Sequence, residues 1–263
     1  MSRPRRGGRP QRGGGADDEP ALEVIPGRQP VAEALRAGRA LRWVVVDRRG
    51  GGTLDDLAEQ ARQAGLDVRA ATRDELDAMA GEVRHQGVVA VAEPFAYADL
   101  ADVAGADLVV VVDGVTDPRN LGAIVRVSEQ AGAGGVVIRD KRAAGPSPAA
   151  EKASAGALSW LPVVRVTNIA RALATLRDAG LWTLGLAGEA EWTVWDAPLM
   201  DERVALVVGE EGRGLSRLVA EQADALVAIP MAGRLDSLNA STATAVAAFE
   251  WRRRHLARAA ATG

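Results

Sequence analysis

The sequence predicts an α/β fold in two blocks, a small one followed by a larger one built on a parallel sheet. Short β-branched runs alternate with amphipathic segments along most of the chain. In the second block the runs VVVVD, GVVIRD, LPVVRV, WTLGLA, VALVVG and LVAIP are continuously apolar, as strands buried on both faces must be. Between the blocks, EPFAYADLADVAGA is rich in Pro and small residues and reads as a linker. The chain thus divides into a leader (1–20), a first block (21–94), a linker (95–106) and a second block (107–263).

The leader carries Arg3, Arg5, Arg6, Arg9 and Arg12 unopposed until Asp17, with too little apolar surface to fold. It reads equally as a phosphate-attracting tail and as a solvated one. No apolar core follows its arginines, so it does not read as a secretory signal, and no apolar run approaches the roughly 20 residues that span a bilayer. A cytoplasmic protein is the expectation. The chain has no cysteine and only His85 and His255 as histidines, so thiolate chemistry, histidine-rich metal centres and a Ser-His-Asp triad are short of parts. The net charge of −3 averages over faces and does not argue against RNA, because local arginine clusters govern contact with a phosphate backbone.

In the first block a helix is expected after Pro30, over VAEALRAG, since proline suits a first helical turn. WVVVD, DVRAA and GVVAVAE supply strands. Thr53 is expected to cap TLDDLAEQARQAG, and Thr72 with Glu75 forms a capping-box pattern before LDAMAG. In the second block LGAIVRVSEQAG, IARALATLRDAG and LSRLVAEQAD have helical periodicity. SLNASTATAVAAFEWRRRHLARAA reads as a last helix with a small-residue face and a basic end.

Three stretches, all at strand ends of the second block, are candidates for chemistry. In VVDGVTDPRNLGAIVRVSEQAG, residues Asp117 to Asn120 read as a turn, and Gly122 as a point where backbone approaches a ligand ahead of the helix carrying Arg126. Arg119 and Arg126 suit phosphate oxygens, although such a turn also serves simply to join a strand to a helix. In ALVVGEEGRGLS, Gly209, Gly212 and Gly214 permit tight turns and expose backbone N–H groups, without the ending of a P-loop or the pattern of a dinucleotide fingerprint. In LVAIPMAGRLDSLNASTATAVAAFE, Ile229, Met231 and Leu238 offer an apolar wall, and Ser237, Asn239 and Ser241 offer polar groups. The last set reads equally as an ordinary helix cap.

DPRNLGAIVR, GEEGRGLS and IPMAGRLDSLNAS, in this order and spacing, resemble the three motifs of the SpoU/TrmH class of the SPOUT superfamily, RNA ribose 2′-O-methyltransferases. GRQPVAEAL and RHQGVVAVAE in the first block resemble the small L30e-like RNA-binding domain of the RlmB-like 23S rRNA guanosine methyltransferases within that class. The resemblance implies a trefoil knot in the second block and S-adenosylmethionine bound within it. Gly209, Ile229, Met231, Leu238 and Asn239 would hold the cofactor; Asn120, Arg126, Glu211, Ser237 and Asn239 would form the catalytic site. It further implies a homodimer whose sites are completed across the interface, and an RNA partner, 23S rRNA or a ribosome-assembly intermediate, with no DNA or membrane partner. The family proposal makes the counterpart of Arg126 a base; a guanidinium stays protonated in nearly all settings, so an orienting role stands beside it.

Among the remaining residues, His85 reads as structural or RNA-contacting, and Glu210 as solvated beside Glu211. Trp160, Trp182, Trp192 and Trp195 offer rings for stacking on bases, but read first as core or interface residues. The last helix carries Phe249 and Trp251 beside Arg252, Arg253 and Arg254; its small-residue face is expected to pack against a second copy, and its basic end reads either as an RNA contact or as a solvated helix terminus. A tRNA substrate, an adenosine target and a non-catalytic RNA-binding role stay open as alternatives.

Overall fold

The computed structural model describes residues 22–234 and 237–262; the arginine-rich leader lies outside them. The first block runs β1 (Glu23–Pro26), α1 (Arg28–Arg36), β2 (Leu41–Asp47), α2 (Thr53–Gln63), β3 (Asp67–Ala71), α3 (Arg73–Ala80) and β4 (Val88–Ala92). Its sheet has the order β1-β4-β2-β3, with β2 and β3 parallel and β4 antiparallel to both its neighbours. Side chains alternate across a strand. Val44 and Val88 therefore join Leu54 and Val31 under α1 and α2, while Val45 and Val89 meet Leu76 of α3 on the other face.

Thr72 and Glu75 form the expected capping box, Thr72 N–H donating to the Glu75 carboxylate at 2.7 Å. Thr53 does not cap α2. The cap is Gly52, whose φ of +55° turns the chain into the helix, so that Thr53 is already its first residue.

The stretch read as a linker contains α4 (Leu100–Val103), whose Val103 is buried, and Ala98 bridges Val164. The second block continues with β5 (Leu108–Asp113), α5 (Pro118–Ala131), β6 (Gly135–Arg139), α6 (Pro148–Ser154), β7 (Val163–Val166), α7 (Ile169–Asp178), β8 (Trp182–Ala187), β9 (Trp192–Thr193), β10 (Val204–Gly209), α8 (Arg217–Gln222), β11 (Ala225–Ala228) and α9 (Ala240–Thr262). Its seven strands, in the order β7-β6-β5-β10-β8-β11-β9, are all parallel. Every residue of β5 and β10 is buried, as their unbroken apolar runs require. Helices α5 and α9 cover one face, with Ile124 and Trp251 against Val110 and Leu206. Helices α7 and α8 cover the other, with Leu173 and Val219 near Val109 and Val207.

Two local expectations change. Residues 118–120 form the first turn of α5 instead of a turn before it: Asp117 is the cap, accepting from Arg119 N–H at 2.8 Å, and Pro118 opens the helix. Gly122 accordingly lies inside α5 and faces α6. A Cβ there would stand 2.3 Å from the Ala150 carbonyl oxygen, so this glycine serves close helix packing rather than ligand approach.

The blocks are joined by charge. Arg39, after α1, pairs with buried Glu151 of α6 and with Glu23 at 2.7 Å, and Glu23 also accepts Phe95 N–H at 2.9 Å. Burial pushes the Glu151 carboxyl up from its ordinary value, and the Arg39 guanidinium opposes that shift. Trp160 Nε1–H donates to Glu33 at 3.0 Å, and Lys152 donates to Gln86 at 2.6 Å, closing the same seam. Among the described residues no helix is long and apolar enough to cross a membrane.

Helix α9 is clamped by Glu250, which receives Arg253 and Arg254; Arg254 reaches on to the Ala197 carbonyl at 3.1 Å. Hydrogen bonds from Arg253 and Arg254 lower the Glu250 carboxyl from 4.5 to about 2. A carboxyl depressed in the fold contributes stability that is present above its unfolded value and lost as pH falls through the folded one. The stability gap between wild type and Glu250→Gln should therefore be constant above pH 4.5 and shrink between there and about 2, as read by denaturant unfolding at stepped pH.

Candidate functional site

Strands β5 and β10 pair in a register that ends with Gly209 beside Asp113. The chain after Gly209 folds straight back: Glu210 and Gly214 exchange backbone hydrogen bonds of 3.0 and 2.8 Å, with Gly212 and Gly214 at φ of +80° and +68°. A Cβ on Gly209 would lie 2.1 Å from the Gly214 carbonyl carbon, so residue 209 must be glycine for the loop to close. Buried Asp113 holds that loop, accepting Ser216 N–H at 2.8 Å and Arg139 at 2.8 Å. In the sequence Asp113 only ended an apolar run; a charge at the carboxyl end of a buried parallel strand was the signal that marked it.

The three motif stretches meet at one hydrogen-bonded cluster. Asn239 Nδ2 donates to Asn120 Oδ1 at 3.0 Å and to Glu211 Oε2 at 3.1 Å, and Asn120 Nδ2 donates to the same Glu211 oxygen at 3.4 Å. At its other end Asn239 Oδ1 accepts Ser241 N–H at 2.9 Å and Ser241 Oγ–H at 2.6 Å, capping α9. Position 120 comes from the first turn of α5, 211 from the refolded loop, and 239 from the start of α9.

Beside the cluster opens a cavity of about 390 Å³ lined by Gly209, Glu211, Ile229, Met231, Ser237 and Leu238. Apolar side chains on one wall and loop backbone with polar groups on the other suit a ligand that is part aromatic and part polar. Glu210 also lines it and stands 3.6 Å from Arg213, so it is half-buried and paired instead of solvated.

Arg126 is not there. It follows Asn120 by six residues on α5, an advance of about 9 Å and a net turn of about 240°, so it faces elsewhere. It is exposed and lines a second cavity of about 350 Å³ with Gln29 and Glu33 of the first block and with Ser154 and Trp160. One chain thus assembles Asn120, Glu211 and Asn239 beside Gly209, Ile229, Met231, Ser237 and Leu238, and leaves Arg126 at the seam between blocks. Arg119 is exposed, without a carboxylate partner among the described residues.

His85 is buried and both ring nitrogens are engaged. Nδ1 accepts Gly87 N–H at 3.0 Å, which leaves the proton on Nε2 to meet Asp77 at 3.0 Å, so its role is structural. Trp160, Trp182, Trp192 and Trp195 are all exposed and do not belong to the core; Trp251 does, and donates to the Glu202 carbonyl at 3.0 Å.

Removing the Asp113 carboxylate frees the refolded loop and leaves Arg139 unpaired. Asp113→Ala should lose on the order of 1.5–3 kcal/mol in denaturant unfolding and speed hydrogen exchange at the Ser216 amide. Unchanged exchange there would show that the loop is held by something else.

The model of the SpoU rRNA methylase family matches residues 107–249, and a model described as the substrate-binding domain of RNA 2′-O ribose methyltransferases matches residues 24–98. The 23S rRNA (guanosine-2′-O-)-methyltransferase RlmB of Xanthomonas campestris pv. campestris is 45% identical over 210 residues, covering 77% of this chain and 84% of that one. The SpoU methyltransferase AviRb of Streptomyces viridochromogenes, solved with AdoMet, superposes with a TM-score of 0.76 at 27% identity, covering 89% of this chain and 91% of that one. The A. aeolicus TrmH/SpoU tRNA modifying enzyme superposes with a TM-score of 0.53 at 26% identity, covering 61% of this chain and 84% of that one. The order and convergence of the three motifs, and the match over more than half the chain, make this protein a member of the SpoU rRNA methylase family.

Proposed function

We propose that the protein transfers the methyl group of S-adenosylmethionine to the ribose 2′-hydroxyl of a guanosine in 23S ribosomal RNA. The observation that carries this is the meeting of three separate motifs at one cavity, with Asn120, Glu211 and Asn239 locked to one another at its edge. Support for a ribosomal substrate comes from the first block: the RlmB relative aligns over 77% of the chain, whereas the tRNA-modifying enzyme overlays 61% of it. The reading includes a cytoplasmic location, where 23S rRNA or a ribosome-assembly intermediate is met.

The cavity fits the cofactor by chemistry. Ile229, Met231 and Leu238 would pack on the adenine, and Gly209 with its refolded loop presents backbone groups to the amino-acid tail, with Asn239 fixing the wall through Glu211. S-Adenosylmethionine, when bound, supplies an electrophilic methyl carbon. Methyl transfer to ribose then requires the hydroxyl to be aligned and its proton removed. Asn120, Glu211, Ser237 and Asn239 form the polar rim that orients the nucleotide. Arg126 orients the phosphate and the hydroxyl, and a water or the cofactor's own carboxylate would take up the hydroxyl proton.

Because Arg126 opens on a cavity other than the cofactor's, the reading assigns it to the site of a second copy in a homodimer. Exposed Phe249 and Leu256 on α9 give that dimer an apolar face. The trefoil knot belongs to the same proposal, supported by the refolded loop after Gly209 lining one cavity with Ile229, Met231, Ser237 and Leu238.

Labelled methyl transfer to unmodified 23S rRNA and, in parallel, to bulk tRNA tests the function. A 2′-O-methylguanosine in the ribosomal RNA is expected, and transfer to tRNA alone would overturn the substrate. Arg126→Ala should lose on the order of 100-fold in turnover with cofactor affinity unchanged. Mixing Arg126→Ala with Asn239→Ala should restore about a quarter of wild-type activity through mixed dimers, half of which form by chance, each with one intact composite site. No restoration would return Arg126 to its own chain's site.

A further inference from the structure

The first block holds a groove that the motifs leave unassigned. It is a cavity of about 480 Å³ lined by Arg28, Arg49, Arg73 and Arg84, together with Asp47 and Asp77. None of the four guanidinium groups has a carboxylate partner among the described residues, whereas Arg36, Arg39, Arg42, Arg62 and Arg69 of the same block each hold one. The two carboxylates of the groove are partly committed: Asp77 meets His85 at 3.0 Å, and Asp47 accepts Arg49 N–H at 2.9 Å. What remains is a concave surface with a positive excess and guanidinium groups that no carboxylate among the described residues holds, a geometry suited to phosphate oxygens.

The floor of this groove is hydrogen-bonded to the other block. Buried His85 pins the turn that follows it, with Gln86 at a φ of +57°, where side chains are rare. The Gln86 carbonyl accepts Arg28 Nε–H at 3.1 Å, and its side-chain oxygen accepts Lys152 of α6 at 2.6 Å. Arg28 opens on the groove, and the next residue, Gln29, opens on the cavity that holds Arg126 and Trp160. The two concavities are therefore adjacent along one edge of α1.

Resting on the reading of the protein as an RNA methyltransferase, we infer that this groove seats one unpaired nucleotide of the RNA substrate. Its base enters the cavity, its flanking phosphates lie on Arg28, Arg49, Arg73 and Arg84, and the strand continues past Gln29 to the Arg126 cavity. A single-stranded segment is the RNA form that fits, since a base can enter a pocket only when it is splayed out of a helix.

The test uses the full chain carrying Arg73→Glu and Arg84→Glu, both exposed positions, with the paired lysine variant beside it. A glutamate at the start of α3 agrees with the helix dipole, so folding is expected to hold, and thermal unfolding checks it. The probes are a fluorescein-labelled single-stranded RNA of about twelve nucleotides and the same sequence as a duplex, read by anisotropy. Single-strand affinity should fall at least tenfold in the glutamate variant and recover in part with lysine. The dependence of log affinity on log salt should flatten by about 1.4, the loss of two phosphate contacts. In methyl transfer to 23S rRNA, KM should rise with kcat unchanged. Unaltered single-strand affinity and salt slope in a folded variant would overturn the groove, as would a wild type that binds the duplex as tightly as the single strand. A wild type that transfers no methyl group to any RNA overturns the enzymatic reading instead, and the anisotropy still decides the groove.

Discussion

The pairing of β5 with β10 is the constraint from which the site follows. Both strands are buried on both faces, so neither can carry polar chemistry along its length, and whatever is polar must emerge at their carboxyl ends. Their register brings Asp113 and Gly209 out side by side. From that point Asp113 can reach the Ser216 amide, which fixes where the refolded loop closes and where Glu211 stands. The same strand end leads through Asp117 into α5 and delivers Asn120 to the same place. A shift of register by one residue would bury Asp113 among valines or lift it away from the loop.

Polar side chains here divide their two ends between local capping and contacts distant in sequence. Asn239 uses its carbonyl oxygen to cap α9 and its amide to hold Asn120 and Glu211. The residue that caps α9 is therefore also the one that ties Asn120 to Glu211. His85 shows the opposite outcome. Both its nitrogens are used internally, so it shapes a surface without presenting a reactive group to it. Glycines divide in the same way: Gly209 and Gly122 are both required by the close approach of protein backbone, although one of them also lines a cavity.

Charged and polar pairs hold the seam between the blocks. Glu151 is buried, and a buried carboxylate is costly unless paired, so Arg39 must dock on α6 in one orientation. Glu23, Glu33 and Gln86 add further polar contacts on the same side. The Arg126 cavity is walled by both blocks as a result, and its shape depends on that orientation.

The sequence by itself determined the two α/β series, the parallel character of the larger sheet and the three motif stretches. Continuous β-branched runs such as Leu108–Asp113 have only one economical use, and glycines at 209, 212 and 214 announce a tight turn wherever they fall. It also exposed the Thr72–Glu75 box, because capping is local in the chain. Other features were invisible for a common reason: they depend on direction or on partners distant in sequence. α6 has little apolar periodicity and exists because Gly122 and Arg39 receive it. Gly52 displaced Thr53 as a cap through a backbone angle that no spacing encodes. Only the tertiary structure decided that Asn120 and Asn239, 119 positions apart, touch, while Arg126, six residues from Asn120 on the same helix, opens on a different cavity. Sequence records order along a chain; a helix turns about 100° per residue, and contact depends on where that turn leaves the side chain.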